Sequence, residues 1–523
     1  MTTTITLMLG LLVATLVFAS LATRLRIPYA ILLVLGGALL GFLPGLPEIN
    51  LSGELILFLF LPPLVYSSAW LTSWRAFRAA LRPIVLLAVG LVVVTTVCVA
   101  VVAHTFIALP WAVAFVLGAV LSPTDAVAAS AIAQRMGLPR RIVTILEGES
   151  MVNDATGLVV YTFAVEAATM GHFQLAVAGW QFVVVSLGGL LIGLVVGWPL
   201  AWLHRCLDDA PIEITITRLT PFAAYLLAEA VHVSGVLAVL SAGLYLSRHS
   251  SRFFSSTTRL EANAVWNVLV FILNGLLFLL IGLQLRHILF AIGDGSLIRL
   301  IGEVLLISLA VVLVHILWVF AATYLPGFLL PGLRARGLSP HWKSVLIVAW
   351  TGLRGGISLA AALALPLTLS GGPLAPERDH LIALTLGVIL VTLVGQGLSL
   401  IPLIGWLGIT ADGASVELER YRAREAAAQA ALGRLQELAD AEWVQERQLM
   451  DLRAHYEEKL RHARQHTDGT PHEEFLPSRK RLPRETIQPQ RAAVITLQDQ
   501  GQIDDEILRE VERELDLEEQ RFQ

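Results

Sequence analysis

The chain has 523 residues, 56% hydrophobic and 15% charged, with a formal net charge of −4 and a mean hydropathy of +0.71. Soluble globular domains carry about a quarter of their residues as charged side chains, so a soluble fold is excluded and a polytopic all-α membrane protein is expected. No nucleic-acid partner is expected.

Of the 41 acidic residues, 25 lie after residue 411. The chain therefore divides into a transmembrane part, residues 1–410, and a polar tail, residues 411–523. Its two cysteines, Cys98 and Cys206, fall in an apolar span and a polar loop and suggest neither a disulfide nor a metal cluster. Met1–Ile5 has no basic residue and Thr6–Ala22 runs on into further spans, so this segment reads as a first transmembrane helix rather than a signal peptide.

Crossing the hydrocarbon takes about 20 apolar residues. About thirteen such spans follow, centred near residues 14, 36, 60, 94, 122, 155, 190, 224, 241, 273, 311, 354 and 392. The eighth and ninth divide one long run at His232–Gly235. With odd-numbered loops inside, sixteen Lys and Arg fall in inner loops and three, Arg286, Arg299 and Arg378, in outer ones. That bias puts the N-terminus outside and the tail in the cytoplasm, in a plasma (inner) membrane.

Span five is interrupted at Leu121–Asp125 and span twelve at Thr351–Gly356. They lie seven spans apart, so two six-span halves joined by span seven would make them counterparts of opposite orientation. Paired interrupted helices at matching positions point to a transporter site at the midplane, where freed backbone must line a cavity. Ordinary proline and glycine kinks are the plainer alternative.

Span six carries Glu147, Glu149 and Asp154 within an apolar helix. A charge at the bilayer centre costs about 2.5–3.5 kcal/mol on insertion scales, so such residues handle ions, protons or charged substrates. Ser150 and Asp154 share a helix face, and Glu149 and Asn153 form the adjacent stripe. With Asp125 and the loosened carbonyls around Thr124, they supply hard oxygens suited to an alkali cation, without the imidazoles and thiolates that transition metals prefer. Two shielded carboxylates hold either a proton or a cation between them, and that competition is enough to make an exchanger. Arg354, in span twelve, needs a buried partner, and Glu149 is the candidate. Such a pair also serves simply to lock helices together. Glu147 is expected at the interface and Glu166 towards water. Glu229 and Glu303 are weaker functional candidates, and Asn274 and Gln284 are expected to bond between helices.

These residues resemble the monovalent cation:proton antiporters of the NhaP type, relatives of the mammalian sodium/proton exchangers. The resemblance rests on Glu147-Gly148-Glu149-Ser150 with Asn153-Asp154, on Ser122-Pro123-Thr124-Asp125-Ala126-Val127-Ala128, and on Gly352-Leu353-Arg354-Gly355-Gly356. A weaker likeness runs from about residue 5 to 408. It implies thirteen helices with two crossed discontinuous ones, and a transport core (about 83–169 and 297–405) beside a dimerisation scaffold in a homodimer. It implies that Asp154 binds the proton or cation, that Asp125, Thr124 and Ser150 complete the Na+ or K+ site, and that Glu149, Asn153 and Arg354 support it. The Asn153-Asp154 pair resembles the electroneutral branch, one cation for one proton. One position departs from the pattern. Many members have proline directly after the aspartate of the unwound helix, where this chain has Ala126.

The tail reads as a charged helix from Ser415 to about Gln465, and a linker from Asp468 to Pro489 with Arg479, Lys480, Arg481 and Arg484. A second helical stretch, Ala492–Gln523, carries an apolar stripe of Ile503, Ile507, Val511 and Leu515. It reads as a cytoplasmic helical domain, with regulation as the sharper hypothesis.

The reading is therefore a secondary active antiporter of Na+ or K+ against H+, serving pH and cation homeostasis. A potassium-preferring or broad alkali-cation antiporter is the near alternative, and a cation channel the distant one. An intramembrane aspartyl protease is disfavoured because neither Asp125 nor Asp154 sits in a Tyr-Asp or Gly-x-Gly-Asp setting. No enzyme activity and no cofactor are expected, and the partners are monovalent cations, protons and membrane lipid.

Overall fold

The computed structural model describes residues 2–43, 53–170, 175–292, 297–329, 341–365, 375–409, 413–439 and 443–467, with 368–369, 372–373, 490 and 500. The chain forms two compact units, Met1–Ala411 and Asp412–Gln523.

The first unit is helical. It begins with α1 (Thr2–Leu25), α2 (Tyr29–Gly41), α3 (Gly53–Leu71), α4 (Trp74–Ala79), α5 (Leu81–Val85) and α6 (Leu91–Ile107). Two half-helices follow, α7 (Trp111–Val120) and α8 (Ala126–Arg135), and then the long α9 (Arg140–Met170) and α10 (Leu175–Cys206). Next come α11 (Ala210–Ala230), α12 (Gly235–Phe253), α13 (Ser256–Ile292) and α14 (Leu297–Leu329). A second pair of half-helices, α15 (Trp342–Trp350) and α16 (Gly356–Leu363), precedes α17 (Ala375–Leu390) and α18 (Gly397–Leu407). A short antiparallel pair, Thr368–Leu369 with Gly372–Pro373, lies between α16 and α17.

Each centre expected from the sequence falls in one of these helices or in a helix interruption. Among the described residues, six helices are long and apolar enough to cross a membrane by length and composition. Their outer faces fit that setting. Leu9, Val13 and Leu16 on α1, and Trp180, Leu191 and Trp198 on α10, are large apolar side chains left exposed. In water that surface would be an aggregation site, whereas against lipid it is solvated. The protein is an integral membrane protein.

Local chemistry sets the boundaries. The turn between α11 and α12 places His232 at φ 57°, and Ser234 caps α12 by accepting from the Leu237 N–H at 3.3 Å. Two π-helical turns, Leu86–Gly90 before α6 and Val391–Gln396 between α17 and α18, each loosen one helix. Such turns free backbone groups and recur at functional sites. The Leu86 carbonyl is met by the Trp318 indole at 3.0 Å, and Gln396 donates to the Trp350 carbonyl, closing the end of α15.

Apolar packing falls into two clusters. One gathers α6, α7, α8 and α14–α18 with parts of α2 and α13. The other joins α3, α11 and α12 with parts of α10 and α13. Helix α9 feeds both, Ile142 and Leu146 into the first and Met151 and Ala155 into the second. The span that carries the carboxylates therefore sits between the two packed bodies. Helices α2 and α13 approach closely because Gly37 faces the Leu279 carbonyl and Gly282 faces the Val34 carbonyl, the small-residue contact that lets membrane helices pack without a hydrophobic drive.

The second unit corrects one expectation. The tail segment expected as one helix is two, α19 (Gly413–Glu437) and α20 (Glu446–Thr467). They pack together. Arg464 Nε pairs with Glu425 Oε1 at 3.0 Å, Tyr421 meets the His462 ring edge-on, and Ala428 and Ala463 are buried. A single uninterrupted helix would hold these residues far apart. The expected basic linker and the stretch Ala492–Gln523 lie outside the described residues, apart from positions 490 and 500.

Candidate functional site

The two helix interruptions cross. Pro123 has no N–H for a helical ladder, and the chain is non-helical from Ser122 to Asp125 before α8 begins. Asp125 is the N-cap of α8, at φ −102° and ψ 111°, and its Oδ1 accepts from the Val127 N–H at 2.8 Å. Its own N–H donates to the Leu353 carbonyl at 2.8 Å, in the middle of the second break. Gly355 then lies so close that a Cβ there would collide with the Asp125 carboxylate. The N-terminus of α16 begins one residue later, at Gly356. Half-helix termini thus converge on one point, with partial positive charge from the starts of α8 and α16 and partial negative charge from the ends of α7 and α15.

Helix α9 supplies the rest. Ser150 Oγ donates to the Thr124 carbonyl at 2.9 Å and accepts from the Ala126 N–H at 3.3 Å. Thr124 Oγ1 donates to Glu149 Oε1 at 3.2 Å and accepts from Asn153 Nδ2. Asp154, one turn beyond Ser150, is 8% exposed, and Asp125 is near enough for its charge to act on it. The structure thus brings Thr124, Asp125, Ser150 and Asp154 together. Glu149 and Asn153 flank them by holding the Thr124 hydroxyl from two sides, which leaves that oxygen one further lone pair. Among the described residues no three His, Cys, Asp or Glu side chains gather as for a metal ion. The donors here are two carboxylates with hydroxyl and carbonyl oxygens, a hard set suited to an alkali ion or a proton.

Ala126 has a consequence of its own. Its N–H is the donor to Ser150, and a proline at that position would have none. The local backbone is therefore pinned to α9 by a hydrogen bond that needs a residue other than proline at this position.

Arg354 is fully buried. Glu149 and Arg354 act on each other electrostatically. Among the described residues, however, no ion pair within 4.0 Å joins them. Among the described residues, Glu149 Oε2 and the three guanidinium nitrogens have no hydrogen-bond partner. Arg354 is anchored through its backbone, whose N–H donates to Thr392 Oγ1 at 3.2 Å. Thr392 in turn donates to the Val388 carbonyl at 2.8 Å and lies in the second π-turn.

Other polar residues fall as follows. Glu147 is half-buried and accepts from Gln134 at 3.3 Å. Glu303 lies 2.8 Å from both Arg299 and His380, away from the crossing. Asn274 and the Asp125 charge both act on the Tyr29 hydroxyl. Sequence reasoning missed Tyr29, Thr392 and His315. Thr392 and Gln396, four apart in a largely apolar span, and His315, an ionisable residue midway along another, were the local signals available.

Crossed discontinuous helices, with a carboxylate cluster on the long helix between two packed bodies, define a secondary transporter rather than an enzyme. The profile of the family "sodium/hydrogen exchanger, transmembrane" matches residues 11–406. The chain belongs to the sodium/hydrogen exchanger family and is of the NhaP antiporter type. Cation/proton antiport is the class of activity that membership carries.

An uncharacterized Na+/H+ exchanger of Mycobacterium tuberculosis is 38% identical over 98% of this chain and 94% of its own length. A sodium, potassium, lithium and rubidium/H+ antiporter of Bacillus subtilis is 37% identical over 70% of this chain, which spans 56% of that protein. The solved sodium proton antiporter MjNhaP1 of Methanocaldococcus jannaschii shares the fold. Its TM-score is 0.60, at 19% identity, over 77% of this chain and 96% of that one.

Proposed function

We propose that the protein exchanges Na+ or K+ for H+ one for one, by alternating access, with Asp154 as the group that carries either ion. The observation that supports this best is the shared cup itself. Asp125 and Asp154 act on each other across it, and Thr124 and Ser150 are held on its rim by bonds that leave acceptor oxygens free. A cation and a proton compete for those oxygens. Asn153 stands where a second aspartate would add a charge, and it is spent on Thr124, which supports a single-charge, electroneutral cycle. The transport core comprises about residues 83–169 and 297–405, and the remaining helices form a scaffold for a homodimer. The N-terminus lies outside and the tail inside, as the loop charges indicate.

The Bacillus subtilis relative, an antiporter of sodium, potassium, lithium and rubidium, favours a broad alkali range. The test is proteoliposomes holding a pH-sensitive dye, given each alkali salt in turn. Saturable dequenching that is unchanged when the membrane potential is clamped supports the reading. A cation current without proton movement would mean a channel.

A further inference from the structure

We propose that His315 is a positioning residue for the ion site, acting through the backbone of the second helix break. His315 lies on α14 and is 1% exposed. Its Nε2 lies 3.3 Å from the Val348 carbonyl. The same carbonyl accepts from the Thr351 hydroxyl at 2.8 Å and from the Thr351 N–H at 3.3 Å. The Thr351 carbonyl accepts from the Leu353 N–H at 2.7 Å, and the Leu353 carbonyl accepts from the Asp125 N–H at 2.8 Å. A continuous chain of hydrogen bonds therefore runs from the imidazole to the backbone of a cup carboxylate.

A second contact fits the ring to the same segment. A Cβ at Gly352 would strike Nδ1, Cγ and Cε1 of His315, so glycine there lets the imidazole lie flat on the broken backbone. The ring also feels the Arg354 charge. Non-helical backbone at membrane depth has few ladder bonds of its own, so an external brace sets its geometry. Because the acceptor is a carbonyl, Nε2 carries the proton, and an amide of glutamine length reproduces that donor. An asparagine amide sits at the depth of Nδ1 and does not reach Val348.

The inference rests on the antiport reading for its transport consequence, and the brace itself is read separately. His315→Ala, His315→Asn and His315→Gln are compared with the native chain in two ways. In proteoliposomes, the apparent KM for Na+ is expected to rise about fivefold in the Ala and Asn variants, the size of one net hydrogen bond. Vmax per folded protein stays near native, and Gln restores the KM. In detergent, hydrogen exchange at residues 348–356 and 122–127 is expected to accelerate in Ala and Asn and to stay native in Gln. Native amide protection in the Ala variant, or a Gln variant that behaves like Asn, would overturn the proposal. If Ala does not fold, the Asn and Gln pair still decides. A native protein with no exchange at all would overturn the antiport reading, while the amide readout still judges the brace.

Discussion

Thr124→Val keeps the shape of the side chain and removes one hydroxyl. In the native structure that hydroxyl donates to Glu149 at 3.2 Å and accepts from Asn153. Both partners are buried, Glu149 at 3% and Asn153 at 0% exposure. Leaving a buried polar group without its partner costs about 1–3 kcal/mol. Two such losses total about 2–6 kcal/mol, and Glu149 already has one unpaired oxygen. If only about 2 kcal/mol of this falls on the cation-bound state, the apparent KM rises about thirtyfold. The remainder lowers thermal stability. Thr124→Ser is the control, because it keeps both bonds and gives up one methyl, about 0.8 kcal/mol. Vesicle exchange read with a pH dye, and thermal unfolding of the purified protein, measure the two parts. A Val variant with native KM and native unfolding temperature would refute the idea that Glu149 and Asn153 act by holding Thr124.

Gly355→Ala drives a Cβ into the Asp125 carboxylate; overpacking costs about 1–3 kcal/mol, and vesicle exchange is expected to fall at least about tenfold. Unaltered exchange would mean the two breaks do not meet there. Ala126→Pro removes the donor to Ser150 while proline suits the first helical position, so the protein should fold. The ratio of KM values for Na+ and K+ should shift up to about fivefold, measured by titrating each salt. Glu303→Gln breaks pairs with Arg299 and His380. The Arg299 side chain is 74% exposed, so the loss should be about 1 kcal/mol or less, read as a small shift in thermal unfolding with exchange retained.

Much of the architecture could be read in advance because its causes are local. Pro123 and Gly352–Gly356 announce the two breaks by what they deny the helix, and His232–Ser234 announces the turn between α11 and α12. The carboxylates of α9 stand out because an apolar span has no other reason to hold them. What escaped notice depends on segments far apart in the chain. The bond from Asp125 to Leu353, the Thr392 anchor for Arg354 and the His315 brace each join residues whose spacing carries no periodic signal. Arg354 invited pairing with Glu149 by charge alone. The structure keeps the two within electrostatic reach, while one Glu149 oxygen accepts from Thr124 and the arginine's main chain is anchored on Thr392. The fold of α19 back on α20 was hidden because charged helical composition is the same on both sides of a turn.

In the proposed cycle one buried cup holds either a proton or an alkali cation. The most direct test is proton release on cation binding, measured with purified protein in weakly buffered solution. Native protein should release one proton for each Na+ or K+ bound, and Asp154→Asn should release none. Full cation binding with no proton released from the native protein would contradict the account.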